Sequence, residues 1–435
     1  MTNAIADKLK SLISADTILV ELNHADAYWQ AKINQAVEVT SSTPIYLLFP
    51  QTAEELSSIV KQAAQHQWRI LICGNGSKLG WGGIAPNIQL VISLQNCDRL
   101  VDHAVGDLTV TAEAGMKLAD LQTRLRSHNQ FLPIDPSYAD ATLGGIVATA
   151  DTGSWRQRYG GVRDLLLGIS FVRADGAIAK AGGRVVKNVA GYDLMKLFTG
   201  AYGTLGIITQ VTFRTYPVIA TDQTLLLTGE AEQIAQATQI IRNSGLTPVA
   251  MDLLAAAIVE ELDLGRDLGL IVRWQTIPQS ITQQVAQVQE IAQKLNLTSS
   301  IYQGDSEADL WQNCANQTRT KDSDTAVTGK IGIAPNCAVN FLQLKQVIEQ
   351  KVAVRIYASS GIGQLRFNSA DKQTIEEMRS HCQQNCGFLT ILDAPKPLKQ
   401  QLDIWGYSGN ALKTMQAIKN QFDPQNLLNC DRFIV

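Results

Sequence analysis

Leu56, Ile59, Val60 and Ala63 recur at three- and four-residue intervals, the spacing that gathers apolar side chains on one face of a helix. Pro50 and the capping-box spacing Thr52-Ala-Glu-Glu55 mark where that helix begins. The period then changes. Arg69-Ile-Leu-Ile-Cys73 is a short apolar run that predicts a buried strand, and it stops at the glycine-rich Gly74–Gly80. Ile88–Ser93 and Leu108–Glu113 predict further strands, and Leu118, Leu121 and Leu125 stripe a helix over 118–125. Residues 1–40 read as helical, packed on the outside of the domain that begins after them. Strand, helix, strand and glycine-rich loop predict an α/β opening.

Near Ala220 the texture shifts. Thr224–Leu227 reads as a strand before a polar helix over Ala231–Arg242, and Leu268–Trp274 with a helix over Ile281–Leu295 repeats that order. Strands over Thr325–Ile333 and Val352–Ala358, with helices near Val339–Glu349 and Asp371–Gln383, continue without glycine-rich loops. That alternation predicts an antiparallel sheet under helices. A last helix around Ala411–Gln421 leads into the turn-rich Phe422–Arg432. The expected boundaries are a helical segment 1–40, a first domain 41–218, a second 219–410, and a helix and tail over 411–435.

Bulk composition narrows the classes. A chain of 435 residues is long for one core, and 45% hydrophobic with 18% charged residues is ordinary for a globular protein. The net charge of −3, with no Lys/Arg cluster, argues against a nucleic-acid partner. Apolar runs such as Ile169–Val172 and Leu268–Val272 are too short to cross a bilayer, so no direct membrane insertion is expected. The N-terminus lacks the basic start, long apolar centre and cleavage site of an export signal. A cytoplasmic location is expected, or a membrane-peripheral one through a partner. The seven cysteines (Cys73, Cys97, Cys314, Cys337, Cys382, Cys386, Cys430) are scattered and read as reduced thiols. Without a CxxC pair, the chain is expected to carry no iron–sulfur cluster of its own.

Three glycine-rich stretches carry the candidate chemistry. Gly74–Gly83, GNGSKLGWGG, can turn its amides into a nest for an anion, with Ser77 and Lys78 adding a hydroxyl and a charge. It is neither GxGxxG nor GxxxxGKS, and a tight structural turn accounts for it alone. Thr142-Leu-Gly-Gly145 predicts a short helix whose first amides face an anion or a flavin edge, although a close crossing of packed segments serves equally. In Gly182–Pro217 the glycines Gly200, Gly203 and Gly206 precede a strand-like Ile207-Ile208-Thr209, a backbone suited to wrapping something flat and phosphate-bearing.

Taken in order, P-x-T-x-E-E-L, the G-x-G-S loop, T-L-G-G, R-Y-G-G-V-R-D and G-T-L-G-I-I-T over about Ser42 to Pro217 resemble the vanillyl-alcohol-oxidase, or PCMH-type, FAD-binding domain. Gly182–Leu194 looks most like GlcE, the FAD-binding subunit of glycolate oxidase, and Phe422-Asp-Pro…Asn429-Cys-Asp-Arg432 resembles that family's FDP…NPGR ending. Cys430 and Asp431 stand where Pro and Gly are usual. The resemblance implies an α+β fold: a PCMH-type FAD-binding domain, a ferredoxin-like α+β cap, and a tail that returns to the flavin. It implies that Gly74, Asn75, Gly76, Ser77, Lys78 and Leu79 hold the FAD diphosphate. Pro136, Thr142, Gly144, Gly145, Ala148 and Thr149 would line diphosphate and isoalloxazine; Asp164 would lie close by; Gly206, Ile207 and Ile208 would contact the adenosine half. Some relatives attach FAD to a His in the first loop; Asn75, Ser77 and Lys78 stand there instead, so noncovalent FAD is expected.

A catalytic site is less legible. Related 2-hydroxy-acid dehydrogenases hold a divalent metal through a histidine pair in the second domain, but His24, His66, His103 and His128 precede that domain, and His381 stands alone within it as a solvent-facing helix residue. No metal site is expected. Arg158 and Lys187 are candidate carboxylate clamps, and Tyr159 and Tyr192 candidate proton relays. For Tyr192 and Asp193 the plainer reading is support of the flavin turn. Arg273, Arg366 and the Ser360-Gly-Ile-Gly363 turn are second-domain candidates that nothing in the sequence places at a pocket. The preferred expectation is a GlcE-like subunit acting on a glycolate-like 2-hydroxy acid beside a partner flavoprotein and an iron–sulfur subunit. A self-sufficient FAD dehydrogenase and a non-catalytic flavin-binding scaffold are the alternatives.

Overall fold

The computed structural model describes residues 3–38, 44–184, 191–219, 221–319 and 325–433. Its contacts gather into two units, Met1–Thr152 with Gly160–Val218 and Ser408–Val435, and Gly153–Tyr159 with Ile219–Tyr407. Seven residues from inside the expected first domain, 153–159, therefore pack with the second unit.

The first unit opens with α1 (Asn3–Lys10), β1 (Ile18–Glu21) and α2 (Ala27–Ala36). A strand thus interrupts the segment expected to be wholly helical. Its cause is tertiary: β1 pairs antiparallel with β2 (Tyr46–Phe49), which no local periodicity announces. After β2 comes α3 (Ala53–His66), where Thr52 caps the helix by accepting from the Glu55 amide at 3.1 Å. Glu55 reaches back to the Gln51 amide, one residue before the position a capping box uses. Leu56, Ile59, Val60 and Ala63 are fully buried, as the stripe requires. β3 (Ile70–Cys73) and β4 (Leu90–Ser93) complete a sheet ordered β1-β2-β4-β3, with β2 and β3 parallel to β4.

A second sheet takes β5 (Leu100–Ala104) and β6 (Thr109–Glu113), then, past the short β7 (Gln130–Phe131), β8 (Leu166–Val172), β9 (Ile178–Gly182) and β10 (Ile207–Arg214). Its order is β5-β6-β10-β8-β9. α4 (Leu118–Arg126) and α5 (Leu143–Thr149) lie in the chain between β6 and β8. One apolar core joins these parts, from Leu48 and Ile59 through Ile146 and Phe171 to Leu428 near the C-terminus.

After β11 (Tyr216–Pro217), which pairs with β7, the second unit folds as one antiparallel sheet of eight strands. These are β12 (Asp222–Gly229), β13 (Ala250–Leu254), β14 (Leu268–Gln275), β15 (Thr298–Tyr302), β16 (Val327–Gly332), β17 (Ala353–Tyr357), β18 (Ile362–Phe367) and β19 (Phe388–Asp393). The order is β15-β12-β14-β13-β17-β18-β16-β19. Side chains alternate across it. Leu268, Leu270, Val272 and Trp274 join the core with Ile234 and Val285 of two covering helices. Ile271 turns the other way, toward Leu310, Trp311 and Cys314 of the helix Asp305–Gln317.

Candidate functional site

A cleft of about 800 Å³ opens in the first unit where the β3 end, the loop after it, α5 and the turn before β10 converge. Gly74 through Leu79, Thr142, Gly144, Gly145, Ala148, Thr149, Gly206 and Ile208 all line it.

Glycine is required where the first loop meets α5. A Cβ on Gly74 would stand 2.0 Å from Thr142 Oγ1, and Gly76 has a φ of +76°. Ser93 holds the loop from behind, donating to the Gly74 carbonyl at 2.8 Å. Tyr28 donates to the Asn75 carbonyl at 2.7 Å, and the Asn75 amide group donates to Asp140 at 2.9 Å. Among the described residues, the backbone amides of Asn75, Gly76, Ser77 and Lys78 donate to no protein acceptor. Orphaned donors at a cleft wall favour an anion.

α5 behaves differently. Its first amides are already used: Leu143 donates to Met116, Gly144 to Ala114, and Gly145 to the Thr142 hydroxyl. The expectation that this helix start faces an anion is therefore corrected, since those donors are satisfied within the protein. The small side chains of Ala148 and Thr149 leave space on the cleft wall instead.

Lys78 projects its ammonium to 3.0 Å from Asp151, and both side chains are almost wholly buried. Asp151 also accepts from the Ser137 amide at 3.0 Å and its hydroxyl at 2.7 Å. The lysine charge is thus balanced before any ligand arrives. Cys73, also at the cleft, has its thiol pushed up to about 12 by burial, which keeps it neutral and unreactive at physiological pH.

The C-terminal tail reaches the same place. Asn429 accepts from the Ile72 amide at 2.7 Å and donates to the Tyr202 carbonyl at 2.6 Å, joining the β3 end to the turn before β10. Lys419 is buried and donates to Asp423 at 2.5 Å and to the carbonyls of Thr204 and Leu428. Arg432 donates to the Leu79 carbonyl at 2.6 Å and to those of Trp81 and Gly83. Phe433 stacks on Tyr202 with centroids 5.3 Å apart. Asp431 adopts a φ of +57°, the backbone a glycine would supply.

Other expected residues lie elsewhere. Pro136 and Ile207 do not line the cleft, and Ile207 is fully buried in the sheet, paired with Val172. Asp164 is exposed and accepts from the Gly161 amide at 2.8 Å, capping a turn away from the cleft lining. Arg158 is exposed and Tyr159 half-buried on α6 (Arg156–Tyr159), within the second unit. Lys187 lies outside the described residues. Tyr192 is 89% exposed, so it does not pack under a flavin turn. His381 is half-buried, its ring 6.2 Å from that of Phe341, rather than facing solvent.

The second-domain arginines are engaged. Arg273 bonds Glu307 at 2.8 Å and Asp222 at 3.2 Å. Arg366 donates to the Gln317 carbonyl and to Asn368; Ser360 and Gly361 lie in the turn between β17 and β18, and Ile362 and Gly363 begin β18. Beside them, Arg355 bonds Asp252 at 2.5 Å and the Ser154 hydroxyl at 2.6 Å, and Ser154 donates to Asp252. Burial pushes the Asp252 carboxyl up against the pull of Arg355. Asp151, Tyr202, Asn429 and Arg432 went unassigned in the sequence, although Tyr202 sat in the glycine-rich Gly182–Pro217 and Asn429 and Arg432 in the tail motif.

Residues 44–182 match the FAD binding domain family. D-lactate dehydrogenase (cytochrome), mitochondrial, from Arabidopsis thaliana is 24% identical over 465 residues, covering 98% of this chain and 80% of that protein. Glycolate oxidase subunit GlcE from Escherichia coli (strain K12) is 34% identical over 168 residues, covering 38% of this chain and 47% of that protein. The solved 4-ethylphenol oxidase from Gulosibacter chungangensis superposes with a TM-score of 0.75 at 14% identity, covering 99% of this chain and 96% of that one, and shares the fold. No helix among the described residues is long and apolar enough to cross a membrane.

Proposed function

We propose that this chain, whose residues 44–182 match the FAD binding domain family, is the FAD-binding subunit of a glycolate or related 2-hydroxy-acid dehydrogenase. The observation that carries the reading is the row of amides from Asn75 to Lys78, without protein acceptors, on the wall of the cleft. They suit a diphosphate whose charge Lys78 cannot meet, because Asp151 already holds that ammonium. Ala148, Thr149, Gly206 and Ile208 would flank the cofactor's rings.

FAD, when bound, supplies a two-electron acceptor for the hydride of a CH–OH group. The protein must still bind the substrate carboxylate and take up the hydroxyl proton. Arg158 and Lys187 are proposed for the first task and Tyr159 for the second. With Lys78 paired and no His in the first loop, FAD would be held noncovalently. The chain would share electrons with a partner flavoprotein and an iron–sulfur subunit; the likeness to a glycolate oxidase subunit supports a place in a multi-subunit enzyme. The match to a D-lactate dehydrogenase along 98% of this chain favours one second reading, a self-sufficient dehydrogenase.

An anaerobic spectrum separates them. The purified chain is expected to be yellow, to release its flavin on denaturation, and to stay oxidised with glycolate or D-lactate until partner subunits are added. Bleaching by substrate alone would establish the self-sufficient enzyme. A flavin that stays oxidised even with partners present would leave only a scaffold, and a chain that cannot be loaded with FAD would overturn the reading of the cleft.

A further inference from the structure

We infer that Arg432 is a positioning residue for the cofactor, fixing the loop after β3 from behind so that its amides hold the FAD diphosphate. The inference rests on the cleft being the FAD site. Arg432 is 4% exposed, and its guanidinium spreads over four main-chain carbonyls, those of Ala36, Leu79, Trp81 and Gly83. In return the Arg432 carbonyl accepts from the Gly83 amide at 3.3 Å. Three of the four carbonyls belong to one short loop, and only a planar fork of donors reaches them together.

Two features separate this arrangement from ordinary packing. The loop that Arg432 clasps, 79–83, directly continues the stretch whose amides lack acceptors. Arg432 also lines the cleft itself, beside Asn429. Its charge acts on the cleft groups Cys73 and Tyr202, working against the upward push of burial on both.

The clasp can be broken from either side. Arg432→Lys keeps the charge and removes the fork. Gly83→Ala attacks from the loop, because a Cβ there would stand 2.0 Å from the Asp431 carbonyl oxygen. Deflavinated full-length protein is titrated with FAD by flavin fluorescence, and the melting temperature is read with and without FAD. Both variants are expected to bind FAD roughly tenfold or more weakly, with a smaller FAD-induced rise in melting temperature. A purely structural role would lower both melting temperatures together and leave the affinity unchanged, which would overturn the inference. If Arg432→Lys fails to fold, Gly83→Ala decides by the same criterion. Failure of the unmodified chain to bind FAD would instead overturn the cleft reading on which the inference rests.

Discussion

At the scale of single residues, Asp431 shows how a departure from a family pattern is absorbed. Cys430-Asp431 stand where the resembled FDP…NPGR ending carries Pro and Gly, and Asp431 adopts a left-handed φ of +57°, the backbone a glycine supplies. Asp tolerates that region better than most residues but not freely, since a side chain there costs about 1–2 kcal/mol in general. Asp431→Gly is therefore expected to leave FAD binding intact and to raise stability by up to about 1 kcal/mol, less what glycine adds to the freedom of the unfolded chain. Thermal melts of the two proteins check it. Legibility at this scale was uneven. Gly74, Gly76 and Gly145 announced a close approach of loops because glycine has few other reasons to cluster. The partnering of Lys78 by Asp151 was invisible, because the carboxylate arrives 73 residues later without a motif around it.

At the scale of elements, what could be read was local. The stripe in α3 and its cap were legible because both signals lie within one turn of each other. Thr52→Ala is expected to cost about 1 kcal/mol, measured as a shift in the urea midpoint, since the Glu55 amide loses its acceptor. Elements whose cause is distant were missed or misread. β1 exists through β2, and β15 carries four exposed residues in five, so no apolar alternation marks it. β13, all buried, is too short to tell from a helix fragment. For α5 the helix was legible but the fate of its amides was not, because Ala114 and Met116 take them from another part of the chain.

At the scale of the whole chain, the contacts divide it into two units that exchange one short segment. Residues 153–159 pack with the second unit, and Ser154 places its hydroxyl between Asp252 and Arg355. Such a buried ion pair depends on its extra hydrogen bonds. Ser154→Ala is expected to cost about 1–3 kcal/mol, because it leaves buried charged groups under-satisfied. Denaturant unfolding followed by tryptophan fluorescence would report it, since Trp311 lies 5.3 Å from the Arg355 guanidinium. No pattern in the stretch around Ser154 signalled this, as a lone serine near a glycine reads like any loop.

The clasp of Arg432 on Leu79 joins positions 353 residues apart, and that separation sets an order in time. A ribosome adding about 5–20 residues per second delivers the loop roughly 20–70 s before the arginine that steadies it. During that interval the nascent first unit has strands, helices and glycines in place but not its last support. A nascent chain that has not reached residue 432 is therefore expected to hold flavin more weakly than one that has passed it, as the Arg432→Lys variant is.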